Sequence, residues 1–104
     1  MVQQQQEELN KALNDAAENG IIEECQRLIQ AGANVNATND GGITPLHRAA
    51  TNGHVDVCQR LIQAGANVHA VTRNNVTPLH WAALNGHFKV CRLLINREAN
   101  VNSV

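Results

Sequence analysis

A chain of 104 residues is about one domain long and cannot house two independent cores. Hydrophobic residues make up 43% of it but aromatics only 2%, so a core has to come from Ala, Leu, Ile, Val and Cys, which suits thin layers of short helices better than one large centre. Eight basic residues against nine acidic ones leave a formal charge of -1, which gives no electrostatic footprint for nucleic acid, and no apolar run is long enough to span a bilayer.

The chain opens on Gln3 to Gln6, frayed or a lead-in to an outer helix that begins at Glu7-Glu8 and carries Lys11, Asn14, Asp15 and Glu18. This start, Gln-rich and then acidic, lacks the charged and apolar segments of a signal peptide. Leu13, Ala16 and Ala17 fall at helical spacing and Gly20 ends the run. Next comes Cys25-Gln-Arg-Leu-Ile-Gln-Ala-Gly-Ala-Asn-Val35, a second short helix closed at Gly32 in a left-handed position.

That second block recurs unchanged as Cys58 to Val68, 33 residues on, and more loosely as Cys91 to Val101. A fixed period of this length marks a stack of units that bury their faces only against neighbours. Between the copies, Asn36 to Gly42 and His69 to Asn75 are too short and polar for a helix and suit projecting hairpin-like turns. Thr44-Pro-Leu-His47 then starts a first helix, with Thr44 as N-cap and Pro45 in the first turn, and Gly53 stops it. A second helix follows from Val55 through Val57, Cys58, Leu61 and Ile62 to Gly65. The order returns as Thr77-Pro-Leu-His80, a stop at Gly86 and a helix from Phe88 to Ile95. The expectation is one all-α domain over 1–104, with units of about 8–38, 39–71 and 72–104.

In the first unit Lys11-Ala12-Leu13-Asn14 stands where the others have Thr-Pro-Leu-His, and only the packing positions survive. An end unit has one flank in water, so a polar outer helix there is what a cap requires. Residues 1–36 hold six acidic and two basic groups, and residues 37–104 three acidic and six basic. This is ordinary surface variation, or a polar cap before a mildly basic surface suited to an acidic or mixed partner. At the other end the Phe88 to Ile95 helix has an apolar flank that nothing visible covers. The chain is then a piece of a longer array, which is the expectation carried forward, or the flank is tolerated, or it meets a neighbour.

Cys25, Cys58 and Cys91 lie one unit apart, which in a stack places them roughly 10 Å from one another. Neither a disulfide nor a shared metal bridges that distance, so they read as buried small hydrophobes. Three cysteines without a disulfide pattern point to an intracellular, reducing compartment, the cytoplasm first. His54 and His87 read as local caps at the turn between helices, and His69 as a surface variant of the position held by Asn36 and Asn102. Lys89, Arg92 and Arg60 read as solvent-side residues of second helices, and with Arg48, Arg73 and Arg97 they form no run for a nucleic-acid backbone. The only serine, Ser103, lies next to the C-terminal residue, and no phosphate-cradling glycine loop is present. No cofactor, metal or catalytic activity is expected.

The Thr-Pro-Leu-His blocks, the Gly-His steps and the Gly-Ala-Asn-Val closes together resemble the ankyrin repeat family, from about Leu9 to Val104. The resemblance implies a solenoid of stacked helix pairs with projecting turns. It also implies that Thr44 with His47, and Thr77 with His80, bond within the helix start and that the His rings reach backbone groups of the adjoining unit. Gly42, and Asn75 in its place one unit later, are implied to sit at a strained turn. Glu98 replaces the closing glycine, so the last loop is strained or built differently. In related proteins the Asn of the Val-Asn step can be hydroxylated by an intracellular oxygenase, a position matched by Asn36 and Asn102.

Recognition in this family falls on the turn tips and the exposed side of the first helices, which line a concave face. The matching positions are Asp40, Gly41, Ile43, Thr51 and Asn52, then Arg73, Asn74, Val76, Leu84 and Asn85. Arg48 and Trp81 hold equivalent positions after the motif histidine and are candidate anchors of binding, although Trp81 can equally pack between units, as Ile43 and Val76 can on their neighbours. The expected function is a monomeric scaffold that binds another protein. The competing readings are a structural spacer, or head-to-tail self-association, which does not close on itself.

Overall fold

The computed structural model describes residues 2–102, with side chains over 3–98. Six helices follow in order: α1 (Val2–Asn19), α2 (Ile22–Gln30), α3 (Pro45–Thr51), α4 (Val55–Gln63), α5 (Pro78–Leu84) and α6 (Phe88–Asn102). Among the described residues there is no strand, and the architecture is an all-α solenoid of helix-turn-helix units. Each pair packs together, the first helices α1, α3 and α5 stack in one layer, and α2, α4 and α6 stack in the other.

The helix starts are set by local chemistry. The Thr44 hydroxyl accepts the His47 N–H at 3.2 Å, and the Thr44 N–H donates to His47 Nδ1 at 3.2 Å. This is a reciprocal capping box with histidine in the role more often filled by Glu or Gln. Thr77 and His80 repeat it at α5. The core runs between the layers and is built from small residues as composition requires: Leu13, Ala17 and Cys25, then Leu46, Ala50 and Cys58, are fully buried. One period later Leu79 and Cys91 are only half-buried and Ala83 is exposed, because no described residue packs on their far side.

Four expectations need correction. Gln3 to Gln6 belong to α1 and are neither frayed nor outside it. The last helix does not end at Ile95 but runs to Asn102. Gly32 and Gly65 close the earlier second helices at φ 103, a conformation that disfavours a residue with a Cβ, so with Glu98 at that place the chain stays helical. The side chains of Ala99 to Asn102, including the candidate Asn102, lie outside the described residues, as do Ser103 and Val104. Third, Arg60 is half-buried and not a solvent-side residue; its Nε is buried without a hydrogen-bond partner. Lys89 and Arg92 are exposed as expected.

The fourth correction concerns the histidines. His54 makes no cap bond through its side chain. Its Nε2 donates to the Glu18 carbonyl at 2.9 Å, and His87 Nε2 donates to the Thr51 carbonyl at 3.0 Å. Each therefore joins its unit to the one before. The rings lie over Gly20 and Gly53, where the missing Cβ leaves the seat open.

The first unit keeps more than its packing residues. Asn14 takes the place of His47, and its Nδ2 donates to the Ile43 carbonyl at 3.5 Å, a long version of the 2.8 Å bond from His47 Nε2 to the Val76 carbonyl. At the loops, Asn36 donates to the Gly65 carbonyl at 3.1 Å and accepts from the Asn67 N–H at 2.8 Å. One step earlier Gln6 donates to the Gly32 carbonyl at 3.0 Å and Asn10 accepts from the Asn34 N–H at 2.8 Å. Two side chains of α1 thus do what one asparagine of a preceding unit does elsewhere.

Candidate functional site

The two turns 36–42 and 69–75 fold as hairpin tips held by side chains from within. In the first, Asn39 Oδ1 accepts the N–H groups of Gly41 at 2.9 Å and Ile43 at 3.1 Å, and the Asn39 N–H donates to the Ile43 carbonyl at 3.2 Å. In the second, the Thr72 hydroxyl does the same for Asn74 and Val76, both at 3.2 Å. Gly42 and Asn75 turn the chain at φ 76 and φ 64, as expected for this position. The tips are then tied to each other by the Arg73 N–H, which donates to the Gly41 carbonyl at 3.0 Å.

This arrangement presents Asp40, Arg73 and Asn74 exposed on two mutually braced loops, with Gly41, Ile43 and Val76 half-buried behind them. Ile43 and Val76 give their carbonyls to Asn14 and His47 of the adjacent first helices. Along those helices Asn52, Leu84 and Asn85 are exposed and Thr51 is half-buried. Asn85 Nδ2 donates to Thr51 Oγ1 at 2.7 Å, and Asn52 Nδ2 donates to the Arg48 carbonyl at 3.0 Å.

Arg48 and Trp81 are half-buried and differ in what holds them. Arg48 Nε donates to Asn14 Oδ1 at 3.2 Å and its Nη1 lies 3.5 Å from Glu18 Oε2. Trp81 meets the His47 ring edge-on, with centroids 5.3 Å apart at 69°, so it braces two units while leaving part of its surface free. Arg48 also borders a groove of about 510 Å³ between α1 and the first turn, lined by Glu7, Lys11, Asp15 and Asn39 among others. The α1 wall of this groove is not among the expected binding positions, although Asp15 lies one 33-residue period before Arg48 and two before Trp81, in the same register.

Burial favours the neutral forms of Cys25, Cys58 and His47. Burial pushes the Cys25 thiol up to about 11 and the Cys58 thiol up to about 12, with Asp56 adding to both. Burial also holds the His47 imidazole below its ordinary value, against the opposing pull of the Val76 carbonyl. Such thiols are poor nucleophiles. His69, read as a surface variant, is exposed with Nδ1 3.3 Å from Glu98 Oε1, an ion pair when the ring is protonated. Among the described residues no group of three or more His, Cys, Asp or Glu could hold a metal ion, and no helix is long and apolar enough to cross a membrane.

A family model for ankyrin repeats, in three copies, matches residues 13–104. The chain belongs to the ankyrin repeat family. Comparison with curated protein sequences gives no match. Ankyrin repeat domains generally serve as scaffolds for protein–protein interaction, and the fold is typically non-catalytic. The paired capping boxes, the His bridges and the braced hairpins of this chain are how its own residues build that scaffold.

Proposed function

We propose that this ankyrin repeat chain binds a protein partner on the side formed by its hairpin tips and first helices. The observation that carries the reading is the Arg73-to-Gly41 bond. It fixes Asp40, Arg73 and Asn74 on a preformed surface, so docking orders little that was loose. Arg48, Thr51, Asn52, Trp81, Leu84 and Asn85 extend that surface along the helices, with Gly41, Ile43 and Val76 supporting the tips. The partner is a protein with an exposed acidic or mixed-charge patch. The units are taken as 8–38, 39–71 and 72–104 of a single domain.

The chain acts by binding and not as an enzyme. Three histidines are committed to structural bonds through Nε2, and the two thiols most deeply placed are buried and protonated. Free cysteines without a disulfide support a reducing, cytoplasmic setting. The test is affinity capture with the wild-type chain beside an Asp40→Ala, Arg73→Glu, Asn74→Ala variant shown by circular dichroism to be folded. Selective retention by the wild type supports the reading. Equal retention of every captured protein by both chains contradicts it.

A further inference from the structure

Two ends of the stack expose apolar side chains. At one, Leu84 is 80% and Phe88 79% exposed, beside Ile95 and the half-buried Cys91. At the other, Ile21 is 48% exposed, and a groove of about 530 Å³ runs between α1 and α2 past Leu9, Ala12 and Leu28. We infer that these two surfaces meet, so that the chain self-associates head to tail, the α1–α2 end of one copy docking on the α5–α6 end of the next.

The molecule itself shows what covers such an end. At each internal step a residue of the next unit sits over a glycine: His54 over Gly20 and His87 over Gly53. Gly86 is the third glycine of the series, also at positive φ, and among the described residues nothing lies within 4 Å of its Cβ position. Ile21 is the residue that holds the place of His54 and His87 in the first unit. Repeating the internal step between molecules brings the Ile21 of a second copy to Gly86 and its α1–α2 groove against Leu84 and Phe88.

Charge agrees with that pairing. The incoming end is acidic, with Glu8 and Glu23 exposed and Glu24 half-buried in a pair with Arg27, whereas α6 exposes Lys89 and Arg92. Opposite potentials steer such ends together and disfavour two like ends. Among the described residues the incoming end offers His80 no hairpin carbonyl, so the contact is weaker than an internal step and forms at high concentration. It repeats without closing, which gives open chains and not a dimer.

This surface shares Leu84 with the partner face but contains none of the hairpin tips, so its failure leaves the partner reading standing. The test is sedimentation velocity on the full chain up to ~1 mM, where a millimolar Kd is still read, with Ile21→Glu and Phe88→Glu variants. Both sites are exposed, so both variants fold, and circular dichroism checks this. The wild type should grow past the dimer with concentration and shrink in high salt, each variant alone should stay monomeric, and an equimolar mixture of the two should form a 1:1 dimer that grows no further. A wild type that is monomeric throughout, an Ile21→Glu chain that associates like the wild type, or a mixture that stays monomeric overturns the inference.

Discussion

The His87 ring lies so close over Gly53 that a Cβ there would fall 2.6 Å from its Nδ1, while its Nε2 bonds the Thr51 carbonyl at 3.0 Å. Gly53 and Gly86 share φ 74, yet among the described residues nothing lies within 4 Å of a Cβ at Gly86. Substituting alanine at either place incurs the left-handed penalty of about 1–2 kcal/mol. Only Gly53→Ala also displaces a ring and its inter-unit bond, for about 1–2 kcal/mol more. Urea denaturation of the two variants should separate them by that difference.

The buried leucines should separate in the same way. Leu46 is fully buried and Leu46→Ala should cost about 2–5 kcal/mol through cavity formation. Leu79, its equivalent, is half-buried, so Leu79→Ala should cost less, about 1–2 kcal/mol by the area lost. Thermal melts that rank them in the opposite order would place the core elsewhere.

Much of this was legible in the sequence because the 33-residue period fixes equivalents. Once Thr44-Pro-Leu-His47 is a helix start, Thr77 to His80 is too, and Leu13, Leu46 and Leu79 share one packing position. What the period could not reveal is where a position is kept by different chemistry. Asn14 does the work of His47, Gln6 and Asn10 together do that of Asn36, and Thr72 holds the second turn by a hydroxyl where Asn39 uses an amide. The α6 extension is hidden for the opposite reason: Glu98 in place of the closing glycine reads as a last loop strained or built differently, and a residue that disfavours the turn instead lets the helix continue. Of the candidate surface, the positions on the two turns and on α3 and α5 follow from the resemblance, whereas the α1 wall of the groove does not, since its Lys11 and Asp15 read only as a polar cap.

His47 makes stability depend on pH. Its folded-state pKa lies below the unfolded value near 6.5, so the unfolded chain binds the proton more readily. This contribution is fully present above the unfolded pKa, falls as pH drops through it, and levels off below the folded pKa. Protonation at Nδ1 would also end its acceptance of the Thr44 N–H. An NMR titration should therefore find His47 titrating below pH 6.5, and an elevated value would contradict its burial as the dominant influence.

Cys25 and Cys58 should resist an aromatic disulfide reagent at neutral pH in the native chain and react on unfolding, because both are fully buried and held as thiols. The half-buried Cys91 should react first. Mass spectrometry of the partly labelled chain reads the order directly.

Trp81→Ala removes both an edge-on contact with His47 and a partly exposed indole. The expected loss of stability is about 1–3 kcal/mol, below that of a fully buried tryptophan, with a larger proportional loss in partner affinity. Equal losses in folding and binding would assign Trp81 to packing alone.

The most direct test of the account is calorimetric titration of the captured partner against two folded variants, Arg73→Glu at the braced hairpins and Phe88→Glu at the end of the stack. Arg73→Glu should weaken binding at least tenfold, about 1.4 kcal/mol or more, and Phe88→Glu should leave Kd unchanged. The reverse pattern would place partner recognition on the α5–α6 end and contradict the assignment to the hairpin side.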